Sequence, residues 1–349
     1  MRTPLFDYDL PGDRIAQETR PRGSSRLLVL DREKGAVRHR LFRDLPEILR
    51  AGDLLVRNDV RVRPARLYGR DDRDRLVEIF LVRSIDPEFR RWLALAKPGR
   101  RAKAGAVIRF EPGLAASVLD VDDESRRLVE FDCPLTEEHL ERLGHVPLPP
   151  YIRRPPGAVD RAEDREGYQT VYAREPLAVA APTAGLHFTA ETFDRLRMRG
   201  VEIADVTLAV GAGTFKPVTA EDTAEHRLES EDVRLPADTV ALLRKARDEG
   251  RRVVAVGTTV TRALETWARL PEVEAATKED VRFSTALFIT PGFEFRVVEA
   301  LLTNFHLPRS TLLMLVSAFG GREKVLAAYE EAIRERYLFY SYGDAMLVV

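Results

Sequence analysis

Polar side chains with catalytic capacity are concentrated in one short segment near the C-terminal end of the sequence. Thr303, Asn304, His306 and Arg309 supply a hydroxyl, an amide, an imidazole and a guanidinium. An apolar stretch, 312–319, follows almost immediately. Hydrogen-bonding groups at the mouth of a buried element are what a small-molecule site requires. We therefore expect this segment to contribute side chains to a ligand site.

A second candidate is the segment 206–215, a predicted strand that runs into a double-glycine turn at Gly211 and Gly213. Glycine lets a ligand approach the backbone closely, and the exposed N–H groups of such a turn can bind it. The turn is not a dinucleotide fingerprint, because Lys216 stands where the third glycine would be. Taken alone, this turn is better explained as a structural feature.

Two further segments place polar groups where a predicted strand gives way to a helix. One carries Thr258, Thr259 and Arg262, and the other carries His187. Ligands of open α/β sheets bind at the carboxyl ends of strands. The threonines could equally cap the next helix, and a lone histidine is commonly structural. Three junctions of the same kind together favour a shared crevice.

The first half of the sequence is rich in short apolar segments that predict β-strands. They lie at 26–30, 53–56, 76–82, 92–96, 106–110 and 128–131. Closely spaced strands separated by Gly/Pro turns are typical of a small barrel or sandwich. We expect residues 65–152 to form a small β-barrel-like domain inserted into a larger one.

The second half alternates predicted helices and strands. Thr189 can cap a helix whose Phe188 and Phe193 fit a hydrophobic staple, and Gly200 should end that helix. Further helices are predicted at 238–249, 260–268 and 323–336, and strands at 201–210 and 252–256. This alternation predicts a large mixed α/β domain. It would comprise 1–64 and 153–349, with the chain crossing between domains at 153–157.

Composition limits the class of protein. The chain has 349 residues, of which 44% are hydrophobic and 32% charged, a balance typical of a soluble protein of one or two domains. The longest clearly apolar run, 312–319, is too short to cross a bilayer, and residues 1–7 lack the apolar core of a signal peptide. We therefore expect a cytoplasmic protein with no membrane partner. The single cysteine, Cys133, excludes an intramolecular disulfide and a thiolate metal cluster.

The charge distribution is uneven although the net charge is only −1. Residues 90–109 include Lys97, Arg100, Arg101 and Lys103 among other cations, and contain no acidic residue. A basic patch of this kind can contact phosphate. A solvated arginine-rich loop explains the stretch equally well when it is taken alone.

Longer blocks of the sequence resemble one enzyme family, the S-adenosylmethionine:tRNA ribosyltransferase-isomerases. The blocks span nearly the whole chain, at 6–11, 15–17, 25–28, 52–56, 64–67, 144–152, 168–173, 180–189, 211–218, 256–265, 303–317 and 341–346. They include Thr-Asn-Phe-His-Leu-Pro at 303–308 and Ser-Tyr-Gly-Asp at 341–344. The resemblance implies a large α/β domain that carries a smaller β-barrel-like domain.

The resemblance also implies a reaction. Family members transfer and isomerise the ribosyl part of S-adenosylmethionine onto 7-aminomethyl-7-deazaguanine at the wobble position of tRNA, and release adenine and methionine. The sulfonium acidifies the adjacent C5′ protons, so a positioned base could form an ylide. The attacking amine must be neutral, so the site should avoid a carboxylate that would hold it as an ammonium ion. We expect S-adenosylmethionine as co-substrate, no metal, tRNA bearing that base as partner, and a monomer.

The matching blocks supply the candidate site residues. We look for catalytic groups among His187, His306, Asn304 and Glu231. The expected substrate-binding residues are Thr183, Gly185, Gly211, Gly213, Thr214, His226, Gly257, Thr258, Thr259, Arg262 and Thr303. Contacts to tRNA phosphate are expected at Lys97, Arg100, Arg101 and Lys103. The roles of the individual catalytic groups stay open.

Several positions depart from what is usual in the family. Ala209 and Glu229 stand where histidine is usual, Asp232 where an aromatic residue is usual, and Gly167 where arginine is common. Ala209 and Glu229 favour the alternative of a non-catalytic tRNA- or RNA-binding paralogue. The intact segments 303–310 and 341–344 favour the enzyme. A transferase that uses the same sulfonium donor on another acceptor is a third interpretation.

Overall fold

The computed structural model describes residues 1–211, 218, 220–271 and 279–349, which group into two compact units. The first unit comprises residues 1–61, 169–175 and 181–349, and the second comprises 62–168 and 176–180. The second unit thus includes the expected insertion and continues past the crossing that we predicted at 153–157. Arg154 lies within it, with Nε 2.7 Å from Oδ2 of Asp164 in the same unit.

The described residues form both strands and helices. The strands are β1 (Arg26–Leu30), β2 (Val37–Leu41), β3 (Leu54–Asn58), β4 (Val60–Val62), β5 (Arg66–Arg70), β6 (Leu76–Ser84), β7 (Arg91–Lys97), β8 (Val107–Glu111), β9 (Leu114–Val121), β10 (Arg127–Phe131), β11 (Glu175–Ala178), β12 (Glu202–Leu208), β13 (Glu231–Leu235), β14 (Val253–Val256), β15 (Val281–Thr285), β16 (Ala300–Asn304) and β17 (Ala345–Val348). The α-helices are α1 (Leu45–Ile48), α2 (Glu137–Leu143), α3 (Ala162–Gly167), α4 (Ala190–Met198), α5 (Ala237–Asp248), α6 (Thr258–Trp267), α7 (Thr311–Gly320) and α8 (Arg322–Arg334). Within the described ranges, none of these helices is long and apolar enough to span a bilayer.

The first unit contains a nine-stranded sheet in the order β15-β13-β12-β3-β14-β16-β17-β1-β2. Its central strands β12, β3, β14 and β16 are parallel, so their carboxyl ends lie at one edge of the sheet. Strand β17 runs antiparallel to β16 and parallel to β1, which brings the amino ends of β17 and β1 to the same edge. Segments that precede or follow these strands therefore meet at this edge.

Local interactions position α4 against the sheet. Thr189 caps the helix by accepting a hydrogen bond at 3.0 Å from a backbone N–H of the first turn. Phe188 and Phe193 stack with ring centroids 4.7 Å apart, which confirms the predicted hydrophobic staple. Gly200 has φ +79°, a conformation that suits glycine, and ends the element. The two rings join a buried core that includes Leu302 of β16.

The second unit contains a closed antiparallel barrel with the strand order β10-β7-β6-β5-β8-β9. Burial alternates along β6, where Val77, Ile79 and Leu81 are buried and the residues between them are not. Alternating inward side chains fill the interior of a small barrel. The predicted fold class, an α/β protein with a small β-barrel, is therefore confirmed.

Candidate active site

The carboxyl edge of the large sheet collects the predicted junctions. Gly211 lies just beyond β12, Gly257 follows β14 and Asn304 ends β16. These strands lie close together in the sheet, in the order β12-β3-β14-β16. The short 3-10 segment Thr183–His187 reaches the same edge, because its histidine contacts Asn304. The order of the strands thus brings together the junctions that the sequence suggested would share a crevice.

His187 and Asn304 form the centre of a buried hydrogen-bond chain. Nδ2 of Asn304 lies 2.9 Å from the carbonyl oxygen of Tyr340 and 3.2 Å from Nε2 of His187. A carbonyl oxygen only accepts, so this amide nitrogen donates and Nε2 of His187 is its acceptor. The proton of the neutral ring is then on Nδ1, which donates to Oγ of Ser25 at 2.9 Å.

Burial keeps the His187 ring neutral. The residue is 4% exposed, and its ring centroid lies 5.1 Å from that of Phe42. Loss of hydration lowers the pKa of His187 to about 4, although the Asp344 carboxylate opposes this shift. At neutral pH the imidazole is therefore uncharged, with its lone pair on Nε2.

Asp344 is a fully buried carboxylate at the same edge. Its Oδ1 accepts a hydrogen bond from the backbone N–H of Arg26 at 2.8 Å and pairs with Nη2 of Arg20 at 2.7 Å. Its Oδ2 accepts from the backbone N–H of Leu338 at 2.8 Å. These donors compensate its negative charge, so Asp344 is not a free carboxylate.

Ser25, Tyr340 and Asp344 belong to this network but are absent from the predicted site. Ser25 and Asp344 lie in blocks that resemble the family, and this resemblance was the one signal that could have identified them. Tyr340 takes part through its backbone carbonyl, which no side-chain pattern indicates.

Thr303 and His306 lie on the other side of β16. Thr303 directly precedes Asn304 on this strand, and successive side chains of a strand point to opposite faces. Oγ1 of Thr303 lies 2.7 Å from Nε2 of His306. Burial lowers the pKa of His306 to about 3, so this ring is also neutral at physiological pH. The two predicted catalytic histidines therefore occupy separate environments.

Two tyrosines hold the backbone of His306. Its N–H donates to Oη of Tyr329 at 3.1 Å, and its carbonyl oxygen accepts from the hydroxyl of Tyr8. Burial raises the pKa of both tyrosines, so both hydroxyls stay protonated. This packing fixes the position of His306 within the unit.

Glu231 and Arg262 form a buried ion pair near the end of β12. Each side chain is 7% exposed. Nη2 of Arg262 donates to Oε2 of Glu231, and the backbone N–H of Gly211 donates to Oε1 at 3.1 Å. The pair joins β13 to α6 and to Gly211. Arg262 compensates the charge of Glu231, as Arg20 compensates that of Asp344.

Helix α6 begins at this edge of the sheet. Gly257, which precedes it, has φ +97°, a conformation that favours glycine. A Cβ atom on Gly257 would lie 3.7 Å from Cβ of Ala184, so the start of the helix adjoins Thr183–His187. Thr258 and Thr259 are 5% and 7% exposed. Neither hydroxyl has a hydrogen-bond partner within the described part of the chain.

Tight packing accounts for Gly185. A Cβ atom at this position would lie 2.1 Å from Oη of Tyr172, which leaves no room for a side chain. Thr183, in the same segment, is half-buried. A role for either residue in substrate binding stays a prediction.

His226 contacts the aromatic ring of Phe288 and is not part of the hydrogen-bond chain around Asn304. Its ring meets that of Phe288 edge-on, with centroids 5.5 Å apart, and partial burial lowers its pKa. Gly213 and Thr214, two further predicted substrate-binding residues, lie outside the described residues. Among the residues that are described, no cluster of three or more His, Cys, Asp or Glu side chains could hold a metal ion.

Ala209 and Asp232, which depart from the usual family pattern, lie on paired chain segments. The N–H of Ala209 donates to the carbonyl oxygen of Asp232 at 3.1 Å. Oδ1 of Asp232 accepts from the hydroxyl of Ser284 at 2.7 Å. Ala209 therefore places a methyl group, two residues before Gly211, at a position where the family usually has an imidazole.

The predicted tRNA-contacting cations lie in the second unit. Lys97 ends β7, and Arg100, Arg101 and Lys103 follow it. Lys97, Arg100 and Lys103 are exposed and have no ion-pair partner among the described residues. Arg101 differs, because its Nη1 donates to the carbonyl oxygen of Leu76 at 2.8 Å. Three of the four cations are thus available for contact with phosphate.

The fold is that of an α/β protein whose central parallel strands end at one edge of the sheet, the place where ligands of open α/β sheets bind. The model of the family described as "Queuosine biosynthesis protein" matches residues 3–348. The chain belongs to this family.

Relatives with assigned names agree with the resemblance found in the sequence. The S-adenosylmethionine:tRNA ribosyltransferase-isomerase of Carboxydothermus hydrogenoformans is 49% identical over 351 residues, which covers 100% of both chains. The protein of the same name from Thermotoga maritima is 46% identical over 350 residues, again with 100% coverage of both. A crystal structure of S-adenosylmethionine tRNA ribosyltransferase from Thermotoga maritima matches with a TM-score of 0.56 and 39% identity, over 99% of this chain and 100% of that one.

Proposed function

We propose that this chain is an S-adenosylmethionine:tRNA ribosyltransferase-isomerase. It transfers and isomerises the ribosyl group of S-adenosylmethionine onto 7-aminomethyl-7-deazaguanine at the wobble position of tRNA. The products are epoxyqueuosine-tRNA, adenine and methionine. The observation that carries this proposal is full-length similarity, at 45–49% identity, to proteins with that name.

The pairing of the buried carboxylates at the sheet edge with arginines supports attack by a neutral amine. The attacking aminomethyl group must be neutral, and a free carboxylate beside it would hold it as an ammonium ion. Glu231 is paired with Arg262, and Asp344 with Arg20. The groups around Asn304 are an amide, a neutral imidazole and a hydroxyl, none of which stabilises an ammonium ion as a carboxylate would.

The candidate residues take different roles in this proposal. Asn304 contacts substrate, and His187 is its positioning residue because its Nε2 holds the amide nitrogen. Removal of a C5′ proton from the sulfonium donor requires a base in its unprotonated form, which for histidine is the neutral imidazole. Both His187 and His306 are uncharged at neutral pH, since their pKa values are about 4 and about 3. His187 can accept this proton only after Asn304 releases Nε2.

The exposed cations of the second unit bind the tRNA backbone in this proposal. Lys97, Arg100 and Lys103 present charges without ion-pair partners among the described residues. Contacts to phosphate fix the register of a nucleic acid and leave base recognition to the catalytic site. We expect the protein to act as a monomer in the cytoplasm, where its tRNA substrate is available.

A turnover assay tests the proposal. Purified protein is mixed with S-adenosylmethionine and tRNA that carries 7-aminomethyl-7-deazaguanine, and adenine and the modified nucleoside are measured by mass spectrometry. We expect both products to form together. Tight tRNA binding with neither product would support a non-catalytic paralogue instead. Adenine release with a different nucleoside product would indicate another acceptor.

A further inference from the structure

The first turn of helix α6 presents unused hydrogen-bond donors at the sheet edge. The backbone N–H groups of Thr258, Thr259 and Val260 have no hydrogen-bond partner among the described residues. The first N–H groups of any helix lack an intrahelical partner, and the helix dipole adds positive potential there. The first turn of α6 contains no acidic side chain that would neutralise this potential.

The Thr259 hydroxyl points to the same place and is also unused. Thr259 is 7% exposed, and its Oγ1 lies 3.8 Å from the position of a Cβ atom on Gly257, beside the N-terminal end of the helix. Threonine in a helix commonly bonds a backbone carbonyl of the preceding turn. Thr261 does so, since its Oγ1 donates to the carbonyl oxygen of Gly257 at 3.1 Å. Thr259 makes no such bond, which leaves the hydroxyl of a largely buried residue open to a ligand.

Arg262 adds a charged donor one turn further along. It lies three residues after Thr259, so it shares that face of the helix, and long side chains in helices extend toward the N-terminal end. The residue is 6% exposed, and only its Nη2 is engaged, by Glu231. Its remaining N–H groups have no partner within the described part of the chain.

We propose that the N-terminal end of α6, with the Thr259 hydroxyl and Arg262, binds the carboxylate of the amino-acid portion of S-adenosylmethionine. This inference rests on the proposed function. Helix N-termini with converging N–H donors are sites for anions. A phosphate of the tRNA chain shares the oxyanion chemistry, but the side chains here are only 5–7% exposed, which favours a small free donor over a phosphate held in a polymer.

The location suits a ligand that must also reach the catalytic groups. The start of α6 adjoins Ala184, since a Cβ atom on Gly257 would lie 3.7 Å from Cβ of Ala184, which shares the segment Thr183–His187 with the histidine. A carboxylate anchored at Thr259 would place the rest of the donor along the edge that leads toward His187 and Asn304. Binding energy from this remote carboxylate would then orient the reacting carbon.

The test compares two ligands and two threonine variants by isothermal titration calorimetry, with and without tRNA. The ligands are S-adenosylmethionine and its decarboxylated analogue, which lacks only the carboxylate. Thr259→Val removes the unused hydroxyl. Thr261→Val is the matched control, because it makes the same change in the same helix at a hydroxyl that is already bonded within the helix.

We expect the wild-type protein to bind S-adenosylmethionine about 10-fold or more tightly than the analogue, since a hydrogen bond to a charged group carries this selectivity. Thr259→Val should reduce this ratio of affinities severalfold, mainly by weakening the binding of S-adenosylmethionine. Thr261→Val should keep the wild-type ratio. Equal binding of the two ligands by the wild type would overturn the inference. An equal loss of affinity for both ligands in Thr259→Val would also overturn it. Weaker tRNA binding by Thr259→Val, with an unchanged ratio of the two ligand affinities, would overturn it too and would assign the site to RNA phosphate.

The calorimetry and the turnover assay together separate this inference from the proposed function. Turnover with adenine release, together with equal binding of both ligands, would leave the enzyme standing and reject the carboxylate site. A wild-type protein that neither binds S-adenosylmethionine nor releases adenine, in the presence of its tRNA, would reject the proposed function and the inference together.

Discussion

His187 and Asn304 lie 117 positions apart in the sequence, yet Nδ2 of Asn304 donates a hydrogen bond to Nε2 of His187 at 3.2 Å. The carbonyl oxygen of Tyr340 fixes the orientation of the amide. Oγ of Ser25 accepts the hydrogen bond that Nδ1–H of the His187 ring donates. A neutral chain of donors and acceptors thus joins four segments of the chain at the sheet edge. Each link predicts a measurable consequence.

Replacing Asn304 by aspartate should change the charge state of His187. Asn304→Asp puts a carboxylate beside Nε2, which favours the imidazolium ion and should raise the pKa of His187 from about 4 toward or above its ordinary value of 6.5. We expect adenine release in single-turnover experiments to slow by roughly 100-fold, because the carboxylate also stabilises the amine as ammonium. The His187 pKa is measured by NMR titration.

Asn304→Ala serves as its control. It removes the amide without adding charge, so the pKa of His187 should stay low while turnover falls. A pKa that is unchanged in Asn304→Asp would show that the two side chains do not interact as described.

Ser25→Ala should destabilise the protein because it removes the acceptor for Nδ1–H of His187, a donor in a buried ring. An unsatisfied buried donor costs about 1–3 kcal/mol. Thermal and denaturant unfolding measure the loss. The neighbouring Ser24 offers a matched control, because its hydroxyl bonds the carbonyl oxygen of Pro21 at an exposed position, and Ser24→Ala should change stability little. Equal effects of the two variants would contradict the buried hydrogen bond.

Acid should destabilise the protein between about pH 6.5 and about pH 4. His187 and His306 have folded-state pKa values of about 4 and about 3, below the ordinary value of 6.5. In that window the unfolded chain binds protons that the native chain excludes, so the free energy of unfolding falls as the pH falls. His187 alone accounts for roughly 3 kcal/mol over the window.

Urea unfolding at several pH values measures this slope. In His187→Gln the slope should be shallower than in the wild type, whatever the stability of the variant at neutral pH. An identical slope in both proteins would show that His187 is not neutral when buried.

Charge reversal in the second unit should weaken tRNA binding. Arg100→Glu combined with Lys103→Glu removes two exposed cations, so the slope of log K against log salt concentration should fall by about two. Filter binding or fluorescence anisotropy at several salt concentrations measures this slope. Arg73→Glu is the control, because it reverses an exposed cation of the same unit outside the 90–109 stretch. A loss of affinity without a change in slope would exclude direct contact with phosphate.

The sequence alone determined the elements whose causes are local. Thr189 caps α4 and Phe188 stacks on Phe193 because the partners lie within one or two helical turns of each other. Gly200 ends that element through its own backbone conformation. Contacts over so few residues can be inferred from residue types in order. The short apolar runs predicted the strands for the same reason, because the pattern lies within a few consecutive residues.

Only the tertiary structure decided how the site residues are combined. Thr303 and Asn304 are neighbours in sequence but point to opposite faces of β16, which separates His306 from His187. Asp344 reaches the start of β1 because β17 lies between β16 and β1. Strand order and register arise from burial of the whole sheet, and no short stretch of sequence encodes them. The sequence could therefore name most of the groups at this edge, whereas the folded sheet determined which of them are partners.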